Sequence, residues 1–149
     1  MHGREPTAWF DKACLVPSEA YIDLGCLPVY IMACKRMLIL SGLTYTKRLW
    51  CIWELYTFFS LCPDNSNTRL VIISLDGENH TQRMLSEFEV DEAHCTSRTD
   101  ETKLREIIQA GGTDLFEETI RGLADQADEA FSDPVGVQQD VICGCKIQR

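Results

Sequence analysis

The sequence predicts an α/β fold with three layers, in which helices cover both faces of a mainly parallel sheet of about four strands. Short apolar runs that are typical of strands alternate with longer segments whose apolar residues recur at helical spacing. The run at residues 69–75 is rich in β-branched side chains and stops at Asp76 and Gly77, which is typical of a strand. A length of 149 residues is sufficient for one domain with a substantial core.

The first predicted elements are a short strand at residues 7–10 and a helix that begins at Glu19. Ser18 precedes this helix, and serine is a favoured N-cap residue. Pro28 lies inside the helix and is expected to kink or split it, because proline lacks the N–H that the backbone ladder requires.

The next two elements repeat the order of strand and helix. Residues 37–40 form an apolar run that ends at Ser41 and Gly42, which is typical of a buried parallel strand. Residues 50–61 predict an apolar helix, and Pro63 follows its end.

The chain beyond the strand at residues 69–75 predicts a weaker strand and two helices. The weaker strand is expected at residues 87–90. The first helix covers residues 103–110 and ends at a pair of glycines, and the last one runs from Asp114 to about residue 131.

Composition limits the class of protein. With 14 basic and 23 acidic residues the net charge is −9, which disfavours nonspecific binding to nucleic acid or to an anionic membrane. The longest apolar stretch, residues 24–34, is too short to span a bilayer, and the N-terminus lacks the apolar segment of a secretory signal. We therefore expect a cytoplasmic protein with one domain, residues 1–133, and a loosely ordered tail, residues 134–149.

The eight cysteines predict neither disulfides nor a metal site. Thiols in the cytoplasm stay reduced. Cys143 and Cys145 are closely spaced, but no second pair completes a four-ligand zinc site. We expect no bound metal and no cofactor.

Candidate functional residues lie in the loops after the predicted strands, because ligands bind beyond the carboxyl ends of parallel strands. These loops are residues 11–18, 41–45 and 76–80. Glu54 lies in the helix after the second loop and is the only charged residue within residues 49–62. A carboxylate withdrawn from water is costly unless it is paired or protonated, so Glu54 requires a structural or chemical reason.

Residues 9–59 contain several motifs in a characteristic order. A strand ending in Asp11 precedes a helix, and a strand ending in Ser41 precedes Tyr45 and the string Trp-Cys-Ile-Trp-Glu-Leu at residues 50–55. This order resembles that of a TIR (Toll/interleukin-1 receptor) domain, which has a flavodoxin-like three-layer fold. In that family a central strand precedes the segment that matches residue 9, and in this chain we expect that first strand to be missing or replaced.

The resemblance implies a signalling domain inside the cell that acts by self-association or by contact with other TIR-like domains. The loop that matches the family's interaction loop, called the BB loop, contains Cys14, Leu15, Val16 and Pro17. We therefore expect these four residues to form an interaction surface.

Some TIR domains cleave NAD⁺ at the bond between nicotinamide and ribose, using the glutamate of this string. The resemblance implies that Glu54 is catalytic, that Trp50, Ser41 and Asp11 bind substrate, and that NAD⁺ is a substrate and not a cofactor. This bond breaks through an oxocarbenium-like state, which a nearby carboxylate stabilises. Nicotinamide leaves without protonation, so one acidic residue suffices.

Two other interpretations stay open. In the first, Glu54 is a structural carboxylate bonded to backbone N–H groups, Arg48 or Lys47, and Trp50 is a core anchor. In the second, the chain is an unrelated flavodoxin-like module that binds a nucleotide or phosphate without catalysis. Neither Gly-x-Gly-x-x-Gly nor Gly-x-x-x-x-Gly-Lys occurs in the sequence to favour the second interpretation.

Overall fold

The computed structural model describes residues 8–10, 20–61, 69–77, 79–130 and 142–145, with side chains for residues 25–61, 69–77 and 79–124. A 3₁₀ turn covers Val90–Glu92. The helices and strands are β1 (Ala8–Phe10), α1 (Ala20–Ala33), β2 (Arg36–Ser41), α2 (Leu49–Leu61), β3 (Leu70–Ser74), α3 (His80–Ser86), α4 (Arg98–Gly111), α5 (Thr113–Ala130) and β4 (Ile142–Cys145).

The strands lie parallel in one sheet, in the order β1-β4-β2-β3. β2 and β3 pair from Met37 opposite Leu70 to Ser41 opposite Ser74. The predicted mixture of helices and strands is confirmed, and so is the parallel pairing of β2 with β3. The flavodoxin-like arrangement stays a prediction.

Burial alternates along β2 and β3, because successive side chains of a strand point to opposite faces of the sheet. In β2 the side chains of Met37, Ile39 and Ser41 are buried, and those between them are half-buried. In β3 Ile72 is buried, whereas Ile73 is exposed. One face of this strand pair therefore packs on the core, and the other face is only partly covered.

The core is built largely from helices that pack around the buried face of the strand pair. Helices α4 and α5 each bury one apolar stripe, as amphipathic surface helices do. Helix α2 is apolar on nearly all sides and contributes the largest set of buried apolar side chains: Leu49, Cys51, Ile52, Leu55 and Phe58.

The strand predicted at residues 87–90 is wrong. Phe88 lies outside regular structure, and Val90 begins the 3₁₀ turn. The backbone here bonds to side chains and not to a neighbouring strand, since the N–H of Val90 donates to Glu117 at 2.8 Å and the C=O of Phe88 accepts from Arg121 at 2.9 Å. Hydrogen bonds from side chains far away in sequence thus take the place of the backbone hydrogen bonds that a strand would make here.

Three further elements differ from the sequence expectation. Helix α1 continues through Pro28, so of the two predicted effects the split is wrong and the kink stays a prediction. Helix α4 begins at Arg98 and not at residue 103, because the hydroxyl of Ser97 caps it by accepting from the N–H of Asp100 at 3.3 Å. The segment that was expected to be a loosely ordered tail contains β4. The N-cap predicted at Ser18 lies outside the described residues.

Candidate functional site

The carboxyl ends of β2 and β3 meet at one edge of the sheet. Ser41 lies opposite Ser74, and the N–H of Leu75 donates to the C=O of Ser41 at 2.8 Å. The predicted loops 41–45 and 76–80 therefore begin side by side, at the edge where the sequence places functional residues.

Ser41 is fully buried at this edge. Its hydroxyl oxygen has no hydrogen-bond partner within the part of the chain that the structure describes. A buried hydroxyl without a hydrogen-bond partner lowers the stability of the fold. Ser41 is therefore a polar group of this edge that burial alone does not explain. Its role in binding substrate stays a prediction.

The start of α2 is fixed by a segment from later in the chain. The N–H of His94 donates to the C=O of Lys47 at 2.9 Å, and the N–H of Leu49 donates to the C=O of His94 at 3.1 Å. These bonds fix the first turn of the helix that carries the string at residues 50–55.

Glu54 lies on the core side of α2. Only 3% of its surface is exposed, and its helical neighbours Cys51, Leu55 and Phe58 are also buried. Trp50, one turn earlier, is half-buried and packs against the core. Trp50 and Glu54 thus share one stretch of helix as predicted, but Glu54 does not face an open cleft.

The remaining predicted site residues lie outside the described residues. They are Asp11, expected at the substrate, and the interaction loop of Cys14, Leu15, Val16 and Pro17. Their roles stay predictions.

A cavity of 490 Å³ lies beyond the carboxyl end of β3. Ser41, Trp50 and Glu54 do not line it. The loop at residues 76–80 was predicted from the sequence, but α3, which contributes four of the seven described lining residues, was not. The available signal was the spacing of Thr81 and Leu85, two buried residues four positions apart. The lining residues are Asp76, Asn79, His80, Gln82, Arg83, Ser86 and Ala124.

Two groups beside the start of α2 have shifted pKa values. The pKa of Glu101 is lowered from 4.5 to about 2, chiefly by the backbone N–H of Cys95, then by His94 and Arg105. The pKa of Cys95 is raised from 9.0 to about 11, chiefly by burial and then by the negative charge of Glu101. The thiol of Cys95 is therefore protonated at neutral pH and is not an activated nucleophile.

The described residues hold no group of three or more His, Cys, Asp and Glu side chains suited to binding a metal ion. Among the described helices, none combines the length and the apolar character needed to cross a membrane.

Comparison with known proteins finds no family model, no curated protein and no solved structure that matches this chain. The resemblance to TIR domains therefore depends on the motifs within residues 9–59.

Proposed function

We propose that this chain is a TIR-like interaction domain with a flavodoxin-like fold, which acts by self-association or by contact with other TIR-like domains. The order of elements supports the proposal: β2 ends in Ser41, α2 carries the string at residues 50–55, and β3 pairs in parallel with β2. The strand β4 lies between β1 and β2, a central position like the one that the resemblance gives to a strand before residue 9.

The distribution of exposed side chains at the carboxyl edge carries this proposal. Leu43, Ile73 and Leu75 are 61%, 42% and 55% exposed, whereas Glu54 is 3% exposed. Leu43 follows the end of β2, and the other two lie at the end of β3. Contiguous exposed apolar side chains mark sites of protein contact, and we infer that these three form such a surface. This edge therefore offers an apolar contact surface and not an open carboxylate.

Sedimentation velocity over a range of protein concentrations tests the proposal. We expect the wild-type protein to assemble as its concentration rises, and Leu75→Glu to reduce assembly because it places a charge in the contact. Leu115→Glu is the matched control, since Leu115 is 58% exposed but lies on α5. A monomeric wild-type protein at every concentration, or equal losses in both variants, would contradict the proposal.

The interaction loop expected from the resemblance is tested in the same assay. Substitutions of Leu15, Val16 or Pro17 are expected to weaken assembly. Assembly that is unchanged by all three would remove this loop from the interface and leave the carboxyl edge as the contact.

Cleavage of NAD⁺ by Glu54 is the enzymatic version of this proposal, and it is separable from the interaction role. Because Glu54 is buried, we expect dilute protein to release no nicotinamide from NAD⁺. Release that disappears in Glu54→Gln, while circular dichroism shows the fold intact, would overturn this expectation and favour the enzyme.

A further inference from the structure

The cavity beyond β3 has the volume of a small-molecule site and a polar lining. Its volume of 490 Å³ lies within the range of about 300–1,000 Å³ that is usual for such sites. Among the described lining residues, all except Ala124 carry polar or charged side chains. Ala124 comes from α5, which packs against α3. The cavity thus lies where these two helices meet the turn that follows β3.

Helix α3 has one face in the core and another at the cavity. Thr81 and Leu85 are buried, whereas Gln82, Arg83 and Ser86 line the cavity. Residues three and four positions apart lie on the same side of a helix, so the lining residues form one polar row. This row carries amide, guanidinium and hydroxyl groups. The hydroxyl of Ser86 donates to the C=O of Arg83 at 2.8 Å, so the guanidinium is the donor of this row on which the argument depends.

The contact between Arg83 and His80 determines which nitrogen of the imidazole carries a proton in its neutral form. Nη2 of Arg83 lies 3.4 Å from Nδ1 of His80. A guanidinium only donates, so Nδ1 accepts and Nε2 carries the hydrogen. Nε2 is buried and has no acceptor among the described residues. Because Nε2 is withdrawn from solvent, a ligand in the cavity does not reach it, and Arg83 is the cationic group that the cavity presents.

Asp76 gives the lining an acceptor of opposite charge to Arg83. It lies in the turn after β3 and not on α3. Among the described residues no ion pair joins Asp76 to Arg83, as the pairs that do form involve other residues. A ligand with an anionic group and hydroxyl groups would satisfy both charges, because a carboxylate accepts hydrogen bonds from hydroxyls.

We propose that this cavity binds a sugar phosphate. Arg83 donates to the phosphate oxygens, and Asp76 accepts from the sugar hydroxyls. Guanidinium groups suit this task because their paired N–H donors match the oxygens of a phosphate. The inference goes beyond the interaction role and does not depend on it, since the two are tested by different measurements on different residues.

Isothermal titration calorimetry with ribose 5-phosphate, inorganic phosphate and ribose tests this proposal on the full chain. We expect ribose 5-phosphate to bind more tightly than either of the other two. Arg83→Gln is expected to weaken its binding by about tenfold or more. Arg98→Gln is the matched control, since it removes the same charge from an exposed position on α4.

Ser86→Leu provides a second variant that keeps Arg83 and Asp76 and places bulk in the cavity, so it is also expected to weaken binding. Circular dichroism verifies that each variant is folded. The proposal is overturned if ribose 5-phosphate gives no binding heat at millimolar concentrations, if inorganic phosphate binds equally well, or if Arg98→Gln weakens binding as much as Arg83→Gln does.

Discussion

The carboxylate of Glu101 binds three groups at once. Its Oε1 lies 3.1 Å from Nε of Arg105 and 3.1 Å from Nδ1 of His94, and its Oε2 accepts from the N–H of Cys95 at 2.9 Å. His94 in turn bonds to the backbone at the start of α2. One side chain of α4 thereby helps to fix the helix that carries Glu54.

Substitution of Glu101 tests this role through pH. The folded protein lowers the pKa of Glu101 from 4.5 to about 2. A lowered carboxyl pKa stabilises the fold above the unfolded value of 4.5, and this stabilisation is lost as pH falls towards 2. We expect Glu101→Gln to have a lower free energy of unfolding than the wild-type protein at neutral pH, and the difference to shrink over that acid range.

Urea unfolding at a series of pH values measures this difference. Glu106→Gln is the control, because Glu106 is an exposed residue of the same helix. The interpretation is wrong if the gap between the wild-type protein and Glu101→Gln stays constant with pH, or if Glu106→Gln shows the same narrowing.

At the scale of elements, segments with a continuous local pattern were predictable from the sequence. The strands β2 and β3 and the helices α2 and α5 begin and end within one residue of their predicted bounds. Their apolar runs and flanking Gly, Ser or Pro residues are local signals. The backbone between α3 and α4 was not predictable, since residues of α4 and α5 bind it from up to 33 positions away.

The candidate site was predictable only in part, for a related reason. The sequence placed Glu54 and Trp50 on one helix, and the structure agrees. A helix that is apolar on nearly all sides gives no indication of which side faces the core. The burial of Glu54 could therefore not be predicted from the apolar pattern. The cavity could not be predicted either, because it forms only where α3 packs against α5.

Arg121 tests whether side chains hold the segment between α3 and α4. Its Nε donates to the C=O of Phe88 at 2.9 Å, and its Nη2 lies 3.0 Å from the carboxylate of Glu117, which accepts from the N–H of Val90. Arg121→Met keeps the apolar part of the side chain and removes these bonds. We expect the free energy of unfolding to fall by about 1–2 kcal/mol, because the group is partly exposed.

Urea unfolding measures this loss, and hydrogen exchange at the amide of Val90 is expected to become faster. Arg98→Met removes the same charge from an exposed position on α4 and serves as the control. Unchanged exchange at Val90 would show that the segment does not depend on Arg121.

At the scale of the whole molecule, the order of strands is a property that no local pattern carries. β4 lies between β1 and β2, although its residue Ile142 is 106 positions away in sequence from Arg36, its partner on β2. No element was predicted for this segment, because four residues without a helical or alternating period give no signal of their own. Only pairing with both neighbours defines β4 as a strand.

The net charge of −9 acts on every contact between two copies of the chain. Like charges repel, and salt shortens the range of this repulsion from about 30 Å at low ionic strength to about 8 Å at physiological ionic strength. If self-association uses the apolar side chains Leu43, Ile73 and Leu75, it is expected to strengthen as salt is added. Sedimentation velocity at low and physiological salt measures this change, with Leu75→Glu expected to assemble poorly at both. Weaker assembly at higher salt would mean that opposite charges hold the copies together, which contradicts an apolar contact at the carboxyl edge.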